Sequence, residues 1–402
     1  MTETARQEGY FAGLSRNTFL LALASFFADI STEMLYPVIP IFLTQTLKSG
    51  GSIVGLIEGV AQATQNITQG FAGSLSDRLQ RRKGIALVGF AVAALSKPLI
   101  GLSSTWQGVL GARFLDRLGT GARSAPRDAL VAASADERHR GKAFGLEGAG
   151  DNAGAFVGPV LAAALLALWG ANVRWIFWAA VVPGLLAFLM VFFVSERRVE
   201  TTAKASFAAG LRRFPKPYRG YLIATALFGA GNSSNAFLIL QTKSFGVSLT
   251  GTILVYAAFN LVAALVSYPA GSLSDRLGRR TLVLAAFAVF FAAYLGFALA
   301  RSAVVVAALF ILYGVFQGVF RAAGKALASD LSPEDLRASG VGWYGAAVGF
   351  SGLAASAIAG VLWDRVGHAA VFFYGAAFAA AGSAALMALV PARTDVAGAR
   401  TV

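Results

Sequence analysis

Two stretches of this chain, GSLSDRLQRR at 73–82 and GSLSDRLGRR at 271–280, are almost the same sequence. Nine of the ten positions are identical, and the exception sets Gln80 against Gly278. The second copy begins 198 residues after the first, which is about half of the 402-residue chain. Self-similarity at such a long spacing indicates that the chain is built from two related halves.

The same spacing of 198 residues recurs in a different part of the chain. It pairs Arg123 with Arg321 and Arg127 with Lys325, and all four lie in otherwise apolar segments. Because the offset recurs in separate segments, a duplication of the whole half explains it better than chance does.

The composition is typical of a protein that crosses a membrane many times. Hydrophobic residues make up 56% of the chain and charged residues 13%, with a mean hydropathy of +0.65. A soluble domain carries about 25% charged residues, so the composition argues against a soluble enzyme and against a disordered chain. There is no cysteine, which excludes disulfides, iron–sulfur clusters and thiol catalysis.

Twelve apolar runs are long enough to cross a membrane as helices, each of which needs about 20 residues. They lie at 17–46, 52–76, 84–103, 105–130, 143–168, 173–194, 220–243, 250–274, 281–300, 303–330, 339–363 and 368–390. An all-α membrane protein with twelve transmembrane helices is therefore expected. The polar break at 195–219, predicted to be a cytoplasmic loop, separates a six-helix bundle at 1–194 from a second one at 220–402.

The basic residues are distributed unevenly over the loops between these runs. If the N-terminus is cytoplasmic, the cytoplasmic segments hold 22 of the 34 lysines and arginines, and the opposite loops hold five. Cytoplasmic loops carry such an excess, which predicts a multi-pass protein of the plasma (inner) membrane with both termini in the cytoplasm. The formal net charge of +14 then requires no nucleic-acid partner.

The repeated stretch resembles the signature of the major facilitator superfamily, Gly-x-Leu-Ser-Asp-Arg-x-Gly-Arg-Arg, which lies between the second and third helices of that family. The first copy departs from it at Gln80. It matches at Gly73, Leu75, Ser76, Asp77, Arg78, Arg81 and Arg82. With the helix count and the duplication, the resemblance covers essentially the whole chain. It implies two pseudo-symmetric bundles of six helices and places the chain near the proton-coupled multidrug and small-molecule efflux branch.

In that family the signature aspartate contacts the start of the eleventh helix, and a signature arginine pairs with an acid at the cytoplasmic end of the fourth. The resemblance implies that Asp77 meets the helix starting near 339–340 and that Arg81 meets Asp128, which together latch the cytoplasmic side. The alternative is that these arginines only set the topology. The predicted gating residues of the two copies and the fourth helix are Asp77, Arg78, Arg81, Asp128, Asp275, Arg276 and Arg279.

The first run carries two acidic residues, Asp29 and Glu33, one turn apart and so on one face of the helix. Asp29 lies about 18 Å into the helix at 1.5 Å per residue, near the middle of the membrane. Charges there are costly, and two carboxylates this close repel each other, so one is expected to hold a proton. We interpret the pair as a proton-coupling site. Permanent ion pairs with the fourth helix and direct contact with substrate are the alternatives.

The fourth run is the most charged, and its ionic side chains fall within about 140° of one helix face at 100° per residue. Such a stripe faces the bundle interior or water rather than lipid. Its members are Arg113, Asp116, Arg117, Arg123, Arg127 and Asp128. Arg113 matches the arginine of the family's fourth-helix motif, which is linked to proton transfer, so Arg113 and Asp116 join the predicted proton-coupling set. An internal ladder of salt bridges is the alternative.

The fifth run contains Gly150-x-x-x-Gly154-x-x-x-Gly158-Pro159. Small residues at every fourth position form a face for close helix packing. The pattern resembles the family's antiporter motif, although the two glycines that end that motif are absent here. It favours export by antiport.

The second half of the chain offers neutral polar groups where the first half has acids. Asparagine and glutamine form hydrogen bonds without titrating, so we expect the first half to handle protons and the second half to shape the pocket. The predicted substrate-binding residues are Tyr36, Arg117, Arg123, Asn232, Asn235, Asn260, Gln317 and Arg321.

No catalytic or nucleotide-binding motif is present, since the chain lacks a Walker phosphate loop, HExxH and GxSxG. We expect no enzyme and no cofactor, but a monomeric secondary transporter in a lipid bilayer that uses a proton gradient to export a small molecule by alternating access. One alternative is an importer or facilitative uniporter of an organic anion or metabolite. The other is a non-transporting membrane sensor or scaffold, but such a protein has no need of buried charges.

Overall fold

The computed structural model describes residues 14–79, 81–135, 140–169, 172–196, 211–333 and 336–391. Its helices are α1 (Arg16–Glu33), α2 (Ile39–Ile41), α3 (Gly51–Leu79), α4 (Arg82–Leu102), α5 (Trp106–Ala133), α6 (Arg140–Trp169), α7 (Arg174–Ala179), α8 (Val181–Phe192), α9 (Lys216–Gly231), α10 (Ala236–Ser244), α11 (Leu249–Leu277), α12 (Arg279–Leu299), α13 (Ala303–Asp330), α14 (Arg337–Arg365) and α15 (His368–Leu389). A π-helix at Phe42–Thr46 follows α2, and a 3-10 turn at Leu211–Arg213 precedes α9.

These elements form twelve helical passages that match the twelve predicted runs to within four residues at each end. Within the described ranges, nine passages are long and apolar enough to cross a membrane. The other three begin at Arg16, Gly51 and Trp106, and they carry the polar and ionic groups of the site below. The prediction of an all-α membrane protein is confirmed.

Successive passages run in opposite directions through the bundle. The starts of α1, α4, α6, α9, α12 and α14 therefore lie on the same side as the ends of α3, α5, α8, α11, α13 and α15. The arginine-rich loops are on this side, which we name the basic side, and the other is named the opposite side. The predicted loop at 195–219 is described only at its two ends, since residues 197–210 lie outside the described ranges.

Several helices on the opposite side begin with a hydroxyl cap. The side-chain oxygens of Thr105, Ser248 and Ser302 each accept a hydrogen bond from the backbone N–H three residues later, at 3.4, 3.0 and 3.4 Å. These bonds satisfy N–H groups that have no partner within the helix. They explain where α5, α11 and α13 start.

The first and seventh passages are interrupted at equivalent places. α1 ends at Glu33 and helix resumes at Ile39, because Pro37 and Pro40 remove backbone donors. α9 ends at Gly231 and helix resumes at Ala236, with residues 232–235 outside any helix. Glu33 and Gly231 are 198 residues apart, so the duplication preserves the break even though the second copy lacks the prolines.

The glycine face predicted in the fifth run is the contact between α6 and α1. A Cβ atom on Gly150, Gly154 or Gly158 would meet backbone oxygens or nitrogens of α1, one turn apart in each case. Only glycine lets the two backbones approach so closely. The contact holds α1, with its two acidic residues, at a fixed height against α6.

The two halves meet mainly where α3 packs against α14 and where α6 packs against α11. A Cβ on Gly55 of α3 would collide with the backbone oxygen of Ser356, and one on Gly360 of α14 would lie 2.6 Å from the backbone oxygen of Gly51. Glycines on both helices therefore make this a close backbone contact between the halves.

Asp364 joins the halves at the opposite side. It is near the end of α14, and its carboxylate accepts hydrogen bonds from the backbone N–H of Gly51 at 2.6 Å and of Ser52 at 2.8 Å, and from the Ser52 hydroxyl at 2.6 Å. A carboxylate at a helix start satisfies free N–H groups and interacts favourably with the helix dipole. Asp364 thus caps α3 from the other half of the protein.

Replacement of Asp364 by alanine should lower the stability of the folded transporter by about 1 kcal/mol, the usual value of a helix cap. The apparent melting temperature in detergent measures this effect. Arg365→Ala, a change at the neighbouring exposed position, is the matched control. Equal melting temperatures for Asp364→Ala and Arg365→Ala would contradict the capping role.

Candidate functional site

A buried ionic cluster lies between α3 and α5 in the half of the membrane nearer the opposite side. The Arg113 guanidinium contacts Glu58 at 3.1 Å and Asp116 at 2.9 Å. The side chains of Arg113 and Asp116 are each 1% exposed and that of Glu58 is 7% exposed. Buried charges are tolerated only when they are paired, so this triad is a rigid element of the first half.

Two more cations extend this cluster around Asp116. Lys97 lies 4.0 Å from Asp116 and donates hydrogen bonds to the Ser31 hydroxyl at 2.6 Å, and to Thr32 at 3.4 Å. Arg117 lies 3.4 Å from Asp116 and donates to the side-chain oxygen of Gln65 at 2.9 Å. The ladder of salt bridges considered from the sequence is therefore present on this part of α5.

A second ionic cluster lies on the basic side of the same helix. Arg127 pairs with Asp128 at 3.0 Å, Glu147 at 2.9 Å and Asp151 at 3.5 Å, and donates a hydrogen bond to Ser25. Its donors are thus shared among three carboxylates from α5 and α6. This cluster ties α5 to α6 near the basic side.

Asp29 and Glu33 lie between the two clusters and belong to neither. Both side chains are half-buried, and neither makes an ion pair with any residue in the described ranges. Glu33 accepts a hydrogen bond of 2.7 Å from the hydroxyl of Tyr256, which is on α11 in the second half. Permanent ion pairs with the fourth helix are therefore not made in this conformation.

Arg123 is the remaining cation of α5, and it lies between the two clusters along the helix. Its side chain is 5% exposed, and its guanidinium carbon lies 4.5 Å from the ring centroid of Phe90 on α4. Its Nε and Nη1 atoms are buried and have no hydrogen-bond partner. A buried guanidinium with free donors is costly, so Arg123 is a candidate functional residue.

Side chains from both halves meet around Tyr36 in the middle of the protein. The Tyr36 hydroxyl is 3.1 Å from the hydroxyl of Ser234, and its ring stacks on Tyr256 with centroids 5.4 Å apart. Ser234 also donates a long hydrogen bond of 3.5 Å to Glu58. Tyr36 and Ser234 are 198 residues apart, and so are Glu58 and Tyr256. The junction therefore lies on the pseudo-symmetry axis and joins equivalent positions.

The halves are held together at the middle and at the opposite side. Besides the contacts of Tyr36, Tyr256 and Asp364, the side-chain amide of Asn260 donates to the backbone oxygen of Ala155 at 3.0 Å. Arg321 and Lys325, nearer the basic side on α13, are exposed. The conformation is thus closed at the opposite side.

The remaining predicted substrate residues of the second half differ in their environment. Asn232 accepts a hydrogen bond of 3.2 Å from the hydroxyl of Tyr313, while Asn235 and Gln317 are half-buried. Arg321 makes no hydrogen bond or ion pair with another described residue. It lies within electrostatic range of Glu33 in the first half.

The predicted gating residues are described in part. The side chains of Asp77, Arg78 and Asp275 lie outside the part of the chain that the structure describes. Arg81 and Arg276 are exposed. Arg279 pairs with Asp330 at 3.0 Å within its own half. The latch between Arg81 and Asp128 stays a prediction.

A family model described as Major Facilitator Superfamily matches residues 21–220 and again residues 221–400. The chain belongs to the Major Facilitator Superfamily. It is therefore a multi-pass membrane transporter with a small-molecule substrate and is not an enzyme. The double match confirms the expected family and agrees with the duplication read from the sequence.

Individual relatives support the same assignment. An uncharacterised transporter of this type from Methanocaldococcus jannaschii is 34% identical over 373 residues, 91% of this chain and 93% of that protein. A multidrug resistance efflux pump homologue from Lactococcus lactis is 26% identical, over 80% of this chain and 81% of that protein. The solved structure of a POT family transporter in complex with 5-aminolevulinic acid has a TM-score of 0.80 at 13% identity, over 96% of this chain and 98% of that one.

Sequence reasoning missed several members of the site. Glu58 and Lys97 stand out as charges in apolar runs, but their partners could not be placed. The contacts of Tyr256 and Ser234 with the first half were also missed. The offset of 198 residues carried a signal, because it relates Glu58 to Tyr256 and Tyr36 to Ser234. If the offset of 198 residues is applied to every polar residue in the apolar runs, it indicates this junction.

Replacement of Arg113 by methionine should destabilise the protein by about 3–5 kcal/mol, because it leaves Glu58 and Asp116 as buried carboxylates without their main partner. Unfolding in a denaturing detergent, followed by circular dichroism, measures the change. Arg117→Met is the matched control, since the side chain of Arg117 is 11% exposed and lies at the edge of the cluster. A loss no larger than that of the control would show that the triad is not a rigid element.

Proposed function

We propose that this protein is a proton-coupled secondary transporter that exports a small organic molecule by alternating access. It would lie in the plasma (inner) membrane, with its basic side and both termini in the cytoplasm. The single observation that carries the proposal is the position of Asp29 and Glu33. Glu33 is a carboxyl group at the junction of the halves, and Asp29 lies one turn before it on α1. Both lie outside the ionic clusters that hold most of the other buried charges.

Carboxyl groups without a permanent counter-ion can gain and lose protons during a transport cycle. Within the described ranges, every other carboxylate inside a membrane passage of the first half has a cation within 4.0 Å. A proton on one of those would break a paired cluster, whereas a proton on Asp29 or Glu33 breaks no ion pair. The two residues are therefore the groups that the fold leaves available for coupling.

Glu33 links protonation to the contact between the halves. The hydroxyl of Tyr256 donates to its carboxylate, so the ionised form of Glu33 stabilises the junction with α11. A protonated Glu33 is a weaker acceptor and holds this contact less firmly. Proton uptake would then favour opening of the opposite side, and proton release would favour its closure.

Export and orientation rest on further arguments. The excess of basic residues on one side supports a cytoplasmic position for that side. The efflux pump homologue from Lactococcus lactis and the partial antiporter motif on α6 support outward transport. A neutral or cationic substrate that occupies the Asp29–Glu33 region competes with protons there, and such competition gives antiport.

Replacement of Asp29 by asparagine or of Glu33 by glutamine should abolish transport driven by a pH gradient and leave exchange of substrate across proteoliposomes largely intact. Each change keeps the size of the side chain and removes its titration. Glu196→Gln is the matched control, because Glu196 lies beyond the end of α8, outside both ionic clusters, and its carboxylate accepts hydrogen bonds from backbone N–H groups at the start of α4. If both variants still concentrate substrate against a gradient, protons are carried elsewhere and the proposal fails.

The substrate itself can be sought by thermal stability in detergent at two pH values. A ligand that binds the native state raises the apparent melting temperature by mass action. The screen covers cationic drugs, organic anions, sugars and amino acids. Antiport predicts a ligand whose stabilisation increases as pH rises, because protons leave the shared site. A stabilising ligand with no pH dependence would favour a uniporter instead.

A second candidate function, uptake of an organic anion together with a proton, is favoured by one observation. Arg321 and Lys325 are exposed on α13, and each acidic residue of the second half whose backbone the structure describes lies near the end of a helix. An anion bound at Arg321 would favour protonation of nearby Glu33, so that anion and proton move together. Addition of such a substrate to the detergent-solubilised protein would then take up protons, whereas the antiport substrate would release them.

A further inference from the structure

The α3 helix carries uncharged amide side chains that take no part in ion pairing. Like α1 and α5, α3 is not among the nine described passages that are apolar enough to cross a membrane. Its polarity has a different origin, because no charged residue lies between Glu58 and Asp77 in the sequence. The polar residues of this stretch include four amides, Gln62, Gln65, Asn66 and Gln69. We name these four residues the amide face.

The amide face is directed towards the interior of the protein. At 100° per residue, its four members and Glu58 fall within an arc of about 100° around the axis of α3. Glu58 contacts Arg113 and Ser234 near the middle of the protein, so its contacts fix the direction of this arc.

The two helices that flank the amide face belong to different halves. Gln65 accepts a hydrogen bond of 2.9 Å from Arg117 of α5. Asn66 lies against Gly349 of α14, where a Cβ atom would collide with its amide. The amide face therefore lies along the space between the halves. An amide directed into lipid would lack hydrogen-bond partners, which is a second reason for an inward, hydrated position.

Most of the hydrogen-bonding capacity of the amide face is unused. A primary amide offers two N–H donors and an oxygen with two lone pairs. Gln62, which is exposed, donates to Asn66 at 3.2 Å, and neither amide forms another hydrogen bond with a described residue. Gln62 lies about 16 Å from the start of α3, and Gln69 lies about 10 Å nearer the basic side. A molecule that enters from the basic side therefore passes these amides.

The duplication shows that Gln62 is free where its counterpart is engaged. Gln62 corresponds to Asn260 at the offset of 198 residues, and Asn260 donates across the halves to the backbone oxygen of Ala155 at 3.0 Å. Ala155 corresponds to Leu353 of α14, but Gln62 bonds to Asn66 instead. One of the two equivalent amides thus joins the halves, and the other is available to a ligand.

We propose that Gln62 and Asn66 determine substrate specificity and that the substrate is an uncharged molecule with several hydroxyl groups, such as a sugar, a polyol or a nucleoside. A hydroxyl group donates and accepts hydrogen bonds, as an amide does, so each satisfies the other. An ion finds no counter-charge on this face, and an apolar molecule displaces water and leaves the amides without partners. The inference rests on the proposed function, transport of a small organic molecule, and names the class of that molecule whether or not protons drive it.

The test measures ligand binding to the full-length protein in detergent at one pH, so that no gradient takes part. The probes are glucose, maltose, sorbitol and uridine, and tetraphenylphosphonium and benzoate are the charged comparisons. At least one hydroxylated probe should raise the apparent melting temperature by about 2 °C or more, because a ligand of the native state stabilises it by mass action. The inference is overturned if none of the four does so, or if a charged probe stabilises the protein more.

In Gln62→Leu the dissociation constant of the stabilising probe, measured by calorimetry, should rise about tenfold, the effect of losing one or two hydrogen bonds to an uncharged ligand. Asn66→Ser should weaken binding in the same direction. Thr64→Val is the matched control on α3, because the Thr64 hydroxyl lies off the amide face and donates to the backbone oxygen of Val60 at 2.7 Å. Wild-type dissociation constants in both amide variants would overturn the inference.

Deoxy analogues of the stabilising probe separate recognition from a structural effect. The analogue that lacks the hydroxyl held by Gln62 should bind the wild type and Gln62→Leu equally, whereas a structural effect weakens all analogues alike and would overturn the inference.

Proton-driven flux of the same probe is measured separately in proteoliposomes. A probe that binds through Gln62 but is not driven by a pH gradient would reject the proposed proton coupling and retain the inference. A proton-driven substrate whose affinity is unchanged in Gln62→Leu and Asn66→Ser would do the reverse.

Discussion

The structure depends on the cost of placing charges inside an apolar bundle. Away from the ends of its membrane passages, the first half holds five cations and seven carboxyl groups. They are Lys97, Arg113, Arg117, Arg123 and Arg127, and Asp29, Glu33, Glu58, Asp116, Asp128, Glu147 and Asp151. Most of these charged groups form ion pairs within the two clusters on α5. Four of the cations pair with five of the carboxylates, which leaves Asp29, Glu33 and Arg123 without an ion pair in the part of the chain that the structure describes.

The duplication gives both halves the same helices but not the same chemistry. At the offset of 198 residues, Arg113 corresponds to Ile311 and Asp116 to Gly314, so the second half has no equivalent of the buried triad. Its core instead contains stacked aromatic rings, such as Phe290 and Tyr294 with centroids 3.9 Å apart. The first half thus carries the buried charges. The second half provides an apolar and neutral polar surface against which the first half moves.

The sequence was sufficient to predict the helices and their packing faces. Apolar runs and hydroxyl caps indicate where helices begin and end, and the spacing of Gly150, Gly154 and Gly158 indicates a face that another backbone approaches. It was not sufficient for the partners within the site. Helical periodicity predicts on which face of α3 Glu58 lies. The contact between Glu58 and Arg113 also depends on how α5 is rotated and how far it is shifted along its axis relative to α3. The break after Gly231 was missed for a related reason, since no proline marks it.

The contacts between the halves are of two kinds, and they respond differently to a proton. At the opposite side, glycine contacts between α3 and α14 and the cap by Asp364 depend on shape and on backbone N–H groups. In the middle, the bond from Tyr256 to Glu33 depends on the charge of its acceptor. A single proton cannot loosen the first kind directly, but it can weaken the second, which lies where the interrupted first and seventh passages meet. Coupling therefore requires that the proton site lie at this junction and not within the paired clusters, because only there does a change of one charge act on the interface between the two halves.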